Sequence, residues 1–301
     1  MWGPQPAAVR QASLDLTLPF PPHPSLPTDR TCASFALGQP VHSLFHHSRD
    51  PQPTPIVEPV PTIFPKIEGA DIAAVFVGKR IAGDFYDSVR VSPERVLFGL
   101  LDVSGRRDEN RGILTAAQEI FRTFGTELFS SPDINESEAM TELSLRINRG
   151  LIEVSKEVRP CPAFIACYHE KFGTLCYTNA GHTPGLLRDS TGTAELGSTG
   201  LPLGLFSHAT TDAPTVGLEK GAALLLVSRG VIICEGHQDP SHSNNGDASE
   251  FGLTRVKSLF QGAAVSDAKT LCTSVLNEAG AFGGNLPICD DRTALALIRT
   301  D

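Results

Sequence analysis

Short apolar runs that end in Gly, Asp or Pro constrain the fold of this 301-residue chain more than any other feature. Runs of this length and boundary are typical of β-strands, which we therefore expect to dominate the scaffold. The predicted strands cover residues 71–77, 96–103, 163–169, 174–178, 222–228 and 293–299.

Apolar residues at helical spacing predict two amphipathic helices between the early and middle strands, and a third near the end. Asn135 followed by Glu138 predicts a capping box for the second helix, and Ser266 marks the start of the third. Strands, a helical pair, more strands, a further helix and a closing strand predict a layered α+β fold, with helices outside packed sheets. The helix positions are Ile113, Ala117, Ile120, Phe121, Phe124 and Leu128, then Met140, Leu143, Ile147 and Leu151, then Ala268, Leu271, Val275 and Ala279.

More than half of the 23 prolines precede Lys66. Each proline removes a backbone donor and restricts one torsion, so residues 1–64 are predicted to be a disordered tail. A partner-binding polyproline segment is the alternative for the tail, although no repeated Pro-x-x-Pro motif stands out. The folded domain is expected to span residues 65–301.

The net charge of −9 and the lack of a Lys/Arg cluster argue against nucleic-acid binding. No apolar run is long enough for a membrane span, and the seven cysteines form no Cys-x-x-Cys pair. These features predict a cytoplasmic protein with no nucleic-acid or membrane partner. Phosphate chemistry on so acidic a chain would need a locally positive site such as a bound metal ion.

Acidic residues follow several predicted strands, where they can converge on one sheet edge. These are Asp84, Asp87, Asp102, Asp290 and Asp291. Converging carboxylates are hard oxygen ligands that suit Mg²⁺ or Mn²⁺. Asp is also common in turns, where it hydrogen-bonds its own backbone, and for any single one of these residues that role is the alternative.

The chain carries an ordered motif series: IAGDFYD, LLDVSG, YTNAGHTPGLL, GLPLGLF, LLLVSRGVIICEG, EFG and DDRTALALIR. This series resembles that of the metal-dependent, PPM-type (protein phosphatase 2C-like) serine/threonine phosphatases, in their sporulation stage II protein E branch. The resemblance runs from about Pro65 to the C-terminus. It implies a central β-sandwich of two antiparallel sheets flanked by helices.

The resemblance further implies two Mn²⁺ or Mg²⁺ ions and a metal-bound water that attacks phosphoserine or phosphothreonine directly. No catalytic side chain separate from that water is implied. The implied substrate is a phosphorylated partner protein, of the anti-sigma-factor-antagonist type that this bacterial branch uses in partner-switching signalling.

By position in the motifs, Asp84 matches the first acidic metal ligand and Asp102 the bridging carboxylate. Val103 matches the residue whose backbone carbonyl faces a metal, Asp290 the late ligand and Asp291 a supporting position. The same motifs contain Asp87, Asn179 and His182, to which we assign turn geometry and hydrogen bonds around the site.

Arg229 stands where the family's Thr-Asp-Gly motif has a metal-ligand Asp. At 4 Å and an effective dielectric near 20, a unit charge pair is worth about 4 kcal/mol, so this exchange opposes binding of a divalent ion. Arg229 leaves room for one metal ion or none. Its guanidinium is expected either to pair with Asp102 and Asp290 or to extend into solvent.

A second departure follows Gly105, where a charged stretch, RRDENR, replaces the family's tight glycine turn. We interpret this stretch as a solvated surface loop. The alternatives are that Asp108 or Glu109 supplies a replacement carboxylate, or that Arg106 contacts the substrate phosphate.

Three functional hypotheses follow. The first is a metal-dependent serine/threonine phosphatase, impaired by Arg229. The second is a catalytically degenerate phosphatase that serves as a protein-binding regulatory module. The third, a carboxylate hydrolase such as a glycosidase, needs a separate acid and base pair, and the sequence singles out none.

Overall fold

A computed structural model describes residues 58–78, 83–103, 105–155, 158–236, 250–264, 266–286 and 290–301. The strands predicted from apolar runs are all present, with ends within two residues of the expected ones. The described strands are β1 (Ala70–Val77), β2 (Gly83–Ser92), β3 (Arg95–Val103), β4 (Ala163–His169), β5 (Thr174–Ala180), β6 (Gly185–Asp189), β7 (Gly192–Leu196), β8 (Thr215–Gly217), β9 (Ala223–Val227) and β10 (Arg292–Arg299).

The three predicted helices are present as well. Two more, one of a single turn after β9 and one before the last helix, were not predicted. The described helices are α1 (Arg107–Phe129), α2 (Glu136–Val154), α3 (Arg229–Ile232), α4 (Gly252–Gly262) and α5 (Ala268–Gly283).

The strands form two antiparallel sheets of five strands each. One has the order β1-β10-β9-β6-β7 and the other β2-β3-β4-β5-β8. Each sheet joins strands that are distant in sequence, as where β1 pairs with β10 and Ala70 lies opposite Arg299. The predicted α+β class and the two-sheet sandwich are both confirmed.

Alternation along β3 shows how the layers pack. Val96, Phe98 and Leu100 point between the two sheets, where they meet Leu224 and Leu226 of β9 and Leu295 and Leu297 of β10. The intervening residues Leu97 and Leu101 point outward to helices α1 and α2. Because both faces of β3 are covered, all nine of its residues are buried.

The other sheet is covered on its outer face by α4 and α5. Val256 and Phe260 of α4, with Leu271 and Val275 of α5, pack on outward-facing residues such as Leu225. The domain therefore has four layers, in the order helix, sheet, sheet, helix. Polar groups at the strand ends of the two central layers can reach one another only at the open ends of the sandwich.

Two details of the helix ends differ from expectation. Asp267, and not Ser266, caps α5, because its side chain accepts a hydrogen bond from the Thr270 N–H at 2.7 Å. The charged stretch after Gly105 is not a surface loop: α1 begins at Arg107, so Asp108 and Glu109 occupy its first turn. Acidic residues favour that position because they face the positive end of the helix dipole. The Asn135 side chain does cap α2, by accepting from the Ser137 and Glu138 N–H groups.

Residues 58–64 contact the domain, although the prediction assigned them to the tail. The Gln118 side chain of α1 accepts from the Val60 N–H at 2.7 Å and donates to the Val60 carbonyl at 2.9 Å. Thr62 donates to Asp87 at 3.0 Å, and Phe64 stacks on Tyr86. Residues 1–57 lie outside the described residues, so the disordered tail remains a prediction.

Five cysteines within the described ranges are buried free thiols: Cys161, Cys167, Cys176, Cys234 and Cys272. In the same part of the chain, no helix combines the length and apolar character that crossing a bilayer requires.

Deletion of residues 1–57 is expected to leave cooperative unfolding intact. Deletion to residue 64 removes the contacts of Val60, Thr62 and Phe64, and should cost about 1–3 kcal/mol. Urea unfolding of the two truncated proteins beside the full chain measures this difference. Equal stability of the two truncations would show that residues 58–64 do not support the domain.

Candidate functional site

One end of the sandwich interior is polar. Residues facing the interior alternate along each strand, and the next interior positions beyond the apolar layer are Asp84 on β2, Asp102 on β3, Ser228 after β9 and Thr293 on β10. All four are buried. Two strands from each sheet therefore place buried polar side chains at one end of the sandwich.

Asp84 and Asp102 lie directly opposite each other in the antiparallel pairing of β2 with β3. The adjacent pair, Gly83 and Val103, approaches closely: a Cβ at position 83 would lie 2.1 Å from the Val103 carbonyl oxygen. Only glycine fits there. The Val103 carbonyl thus borders the same strand end as the two carboxylates.

Neutral hydroxyl groups hold Asp84. Thr293 Oγ1 donates to Asp84 Oδ2 at 2.7 Å, and the Ser228 hydroxyl also bonds to this carboxylate. Ser228 is fixed in turn, because its Oγ accepts the Thr293 N–H at 3.0 Å. Among the described residues, no cationic side chain bonds to Asp84.

Burial raises the pKa of all three candidate ligands. Burial, followed by repulsion from Asp102, raises the pKa of Asp84 to about 8. Burial raises the pKa of Asp102, opposed by a hydrogen bond from the Arg229 backbone. For Asp290, burial and then Asp102 raise the pKa. These mutual effects show that the three carboxylates occupy one site that is short of positive charge.

Arg229 combines parts of both predicted arrangements. Its backbone N–H donates to Asp102 Oδ2 at 3.1 Å, whereas its guanidinium Nη2 lies 3.3 Å from Asp290 Oδ2. The Arg229 side chain is 55% exposed, so the ion pair lies at the mouth of the site. The guanidinium thus reaches Asp290, and only the backbone of Arg229 reaches Asp102.

Both oxygens of Asp290 are engaged, since Oδ1 accepts the Asp291 N–H at 2.9 Å. Asp291 is buried behind the site, where its Oδ1 would lie 2.4 Å from a Cβ at Gly78. Within the described ranges, no group of three or more His, Cys, Asp or Glu side chains is arranged to hold one metal ion. Asp84 and Asp102 remain as an adjacent pair of hard oxygen donors.

Asp87 lies within strand β2 and not in the turn that we predicted. It is three residues from Asp84 and therefore faces α1 instead of the sandwich interior. The Arg122 guanidinium binds both of its oxygens, at 2.7 and 2.8 Å, and Gln118 donates to it at 3.2 Å. Asp87 thus joins β2 to α1.

Asn179 and His182 border the polar end from β5. Asn179 Oδ1 accepts the His182 N–H at 2.8 Å, and its amide group donates to the Leu196 carbonyl at 3.2 Å. His182 is buried, which lowers its pKa to about 4, so the ring is neutral at physiological pH. These contacts close the loop between β5 and β6.

The carboxylates after Gly105 point elsewhere. Asp108 pairs with Arg111 at 2.8 Å, and Glu109 lies 3.5 Å from Arg159. In the part of the chain that the structure describes, neither contacts Asp84, Asp102 or Asp290. Arg106 is exposed at the N-cap of α1.

The roles of Ser228 and Thr293 were not predicted from the sequence. Their signal was available, because each is separated by an even number of residues from interior leucines, Leu226 on β9 and Leu295 on β10. Gln118 and Arg122 were also missed, although their i, i+4 spacing places them on one face of α1.

The family model for stage II sporulation protein E (SpoIIE) matches residues 92–300, more than half of the chain. Asp102, Arg229 and Asp290 lie inside the matched region, and Asp84 lies just before it. No curated protein sequence shows a significant match.

Three solved structures share the fold at 15–21% identity. The RsbU and RsbW domains of a Mycobacterium tuberculosis protein match with a TM-score of 0.59 and 21% identity, over 78% of this chain and 63% of that one. The PP2C phosphatase domain of Bacillus subtilis SpoIIE, with a fragment of its regulatory domain, gives 0.59 and 15%, over 78% and 64%. The SiaA PP2C domain of Pseudomonas aeruginosa gives 0.60 and 16%, over 76% and 85%.

The chain thus spans less than two-thirds of the first two of these structures. Its two-sheet architecture nevertheless agrees with all three, and the family match covers every strand and helix from β3 to β10. The chain belongs to the stage II sporulation protein E family and has its PP2C-type phosphatase fold.

Proposed function

We propose that the protein is a metal-dependent serine/threonine phosphatase that hydrolyses phosphoserine or phosphothreonine on a partner protein. The carrying observation is the buried pair Asp84 and Asp102, held opposite each other and bonded on Asp84 only by neutral hydroxyls among the described residues. A site short of positive charge, in a family of metal-dependent phosphatases, favours a bound cation.

The donor set fits one Mg²⁺ or Mn²⁺ ion better than two. Asp84, Asp102 and the Val103 carbonyl offer hard oxygens at one strand end. Asp290, the remaining ligand expected from the family, is occupied by Arg229 and by the Asp291 N–H. A second ion would have to displace the guanidinium. We therefore propose a single-cation centre in which Arg229 supplies the other positive charge.

A bound cation would polarise the phosphoryl group and lower the pKa of a bound water molecule. The protein's own groups would orient the metal ligands and bind the phosphate. Ser228 and Thr293 fix the orientation of Asp84, and the Arg229 backbone fixes Asp102. The half-exposed Arg229 guanidinium offers donors to phosphate oxygens at the mouth of the site. Asp290 neutralises part of its charge, so we expect turnover below that of a two-metal enzyme.

The proposed partner is a phosphorylated protein of the anti-sigma-factor-antagonist type, in the cytoplasm of a bacterium. Its support is the family and the similarity to a structure that contains RsbU and RsbW domains. We propose no nucleic-acid partner, because the chain is acidic and lacks a basic cluster.

A second candidate is a non-catalytic module that binds a partner protein without hydrolysing phosphate. Two observations favour it: Arg229 pairs with Asp290, and no described group of three acidic, His or Cys side chains is arranged around one ion. Metal binding and turnover together separate the two candidates.

Arg229→Asp is expected to raise both Mn²⁺ affinity and phosphatase turnover, each by about tenfold or more, because it exchanges a repelling charge for a ligand. Calorimetric titration and hydrolysis of p-nitrophenyl phosphate measure the two effects. Arg111→Asp, which changes charge on α1 outside the site, is the matched control. Asp102→Asn should abolish both in either background. Identical Mn²⁺ affinity and turnover in wild type and Arg229→Asp would remove the proposed role of Arg229.

The raised pKa of Asp84, caused by burial and then by repulsion from Asp102, should appear in the stability of the metal-free protein. Its folded pKa of about 8 lies above the ordinary value of 3.8, so the folded state holds the proton more tightly. The stabilisation of the folded state by protonated Asp84 is fully present below pH 4 and is lost as the pH rises through 8. The variant Asp84→Asn keeps the shape of the side chain but removes its ionisable group.

In EDTA, Asp84→Asn should therefore gain stability over wild type between pH 5.5 and pH 9, by roughly 1–3 kcal/mol. Urea unfolding at both pH values measures the gain, and the exposed Asp133→Asn is the control. A difference between the variant and wild type that is the same at both pH values would contradict the raised pKa.

A further inference from the structure

The loop of residues 201–206 exposes two large apolar side chains. Leu201 is 53% exposed and Phe206 is 58% exposed. The loop makes up all but the first residue of the motif GLPLGLF, which supplies no candidate metal ligand. Single exposed apolar residues are ordinary on protein surfaces, so their setting decides whether they matter.

The 201–206 loop is held in place by buried groups. Leu203 and Cys161 exchange two backbone hydrogen bonds, at 2.8 and 3.1 Å. The buried Asn148 of α2 accepts from the Gly204 N–H and donates to the Phe206 carbonyl, both at 2.8 Å. Gly204 has a φ of +82°, and a Cβ there would lie 2.5 Å from the Arg159 carbonyl oxygen. Leu201 and Phe206 are thus presented by an ordered backbone.

The loop adjoins the candidate metal site. Cys161, which pairs with Leu203, precedes Pro162, and the Pro162 carbonyl accepts the Asp102 N–H at 2.8 Å. A further exposed apolar residue, Val158, lies on the same segment and is 73% exposed. Backbone hydrogen bonds therefore connect the loop of residues 201–206, through Cys161 and Pro162, to the strand that carries Asp102.

Positive charge lies on the same side of the site, in contrast to the net charge of −9 for the chain. Arg106 follows Asp102 by four positions, is exposed, and makes no ion pair with any residue that the structure describes. Arg159, beside Gly204, shares its charge with Glu109 at 3.5 Å. Arg106, whose charge no described carboxylate shares, would attract a negatively charged partner towards the apolar loop.

We propose that Leu201 and Phe206 form the docking surface for an acidic phosphorylated protein segment with apolar side chains flanking its phosphoserine or phosphothreonine. The inference rests on the proposed function for the phosphate itself. The phosphorylated residue would reach towards Asp84 and Asp102, its apolar neighbours would cover Leu201 and Phe206, and its acidic residues would face Arg106. Because hydrogen bonds already hold the backbone of this loop, little backbone entropy is lost on binding, which favours such a contact.

The test uses two labelled peptides that carry a non-hydrolysable phosphonate analogue of phosphoserine. In one the analogue is flanked by leucine and aspartate, and in the other serine replaces each leucine. Fluorescence anisotropy with the full chain and Mn²⁺ gives a Kd for each peptide. Hydrolysis of p-nitrophenyl phosphate, which has no flanking residues, is measured in parallel.

Wild type should bind the leucine peptide about tenfold more tightly than the serine peptide. The double variant Leu201→Ser, Phe206→Ser should lose this preference, while its rate with p-nitrophenyl phosphate stays at the wild-type value. Both side chains are exposed, so the variant should fold. Phe172→Ser is the matched control, because Phe172 is 61% exposed but follows the opposite end of β4. It should keep the preference.

Equal affinity of wild type for the two peptides, or a preference that survives in the double variant, would overturn the docking surface. Failure to bind either peptide would overturn it as well. The proposed function fails separately, through absence of p-nitrophenyl phosphate turnover in wild type. A leucine preference without turnover would keep the docking surface and identify the protein as a non-catalytic binding module.

Discussion

The opposition of two buried carboxylates, Asp84 and Asp102, is the constraint on which the site depends. Like charges in a low-dielectric setting repel strongly, so the two carboxylates together destabilise the folded protein when both are ionised. The register of β2 against β3 enforces the arrangement, because β3 is buried on both faces and cannot slip without turning its leucines to the wrong layer. The packing of the sandwich thus keeps the two carboxylates together, and a bound cation or a proton would reduce their repulsion.

Strands with a high apolar content were predicted correctly from the sequence, and those with a low apolar content were missed. The apolar strands were predicted because both of their faces are covered, which makes each a continuous apolar run. Strand β2, GDFYDSVRVS, was missed because it mixes polar and apolar residues, and the short β6, β7 and β8 are similarly weak signals. The charged stretch after Gly105 was misjudged because its residues are polar, although acidic residues in a first turn also mark a helix start.

The residues of the site that could be predicted from the sequence are those identified by their position in the motifs. Asp84, Asp102 and Asp290 are brought together, whereas Asp87, only three residues from Asp84, serves the opposite face of the same strand. Local sequence could not show which hydroxyls would reach Asp84, because Thr293 is 209 positions away and the contact requires both sheets. Strand alternation would have placed Thr293 in the interior, but only the pairing of sheets shows what it meets there.

The position of Arg229 is set by its neighbour. A Cβ at Gly230 would lie 2.0 Å from the Asp291 carbonyl oxygen and 3.3 Å from the Asp290 Cβ, so the backbone after β9 packs directly on the turn before β10. Since only glycine permits this approach, residue 229 lies beside Asp290 whatever its side chain, and its N–H lies beside Asp102. The backbone therefore determines the place of residue 229, and its side chain determines only the sign of the charge at the mouth. Arginine at position 229 therefore changes the charge of the site but not the path of the backbone. For this reason we expect Arg229→Asp to restore a metal ligand without altering the fold.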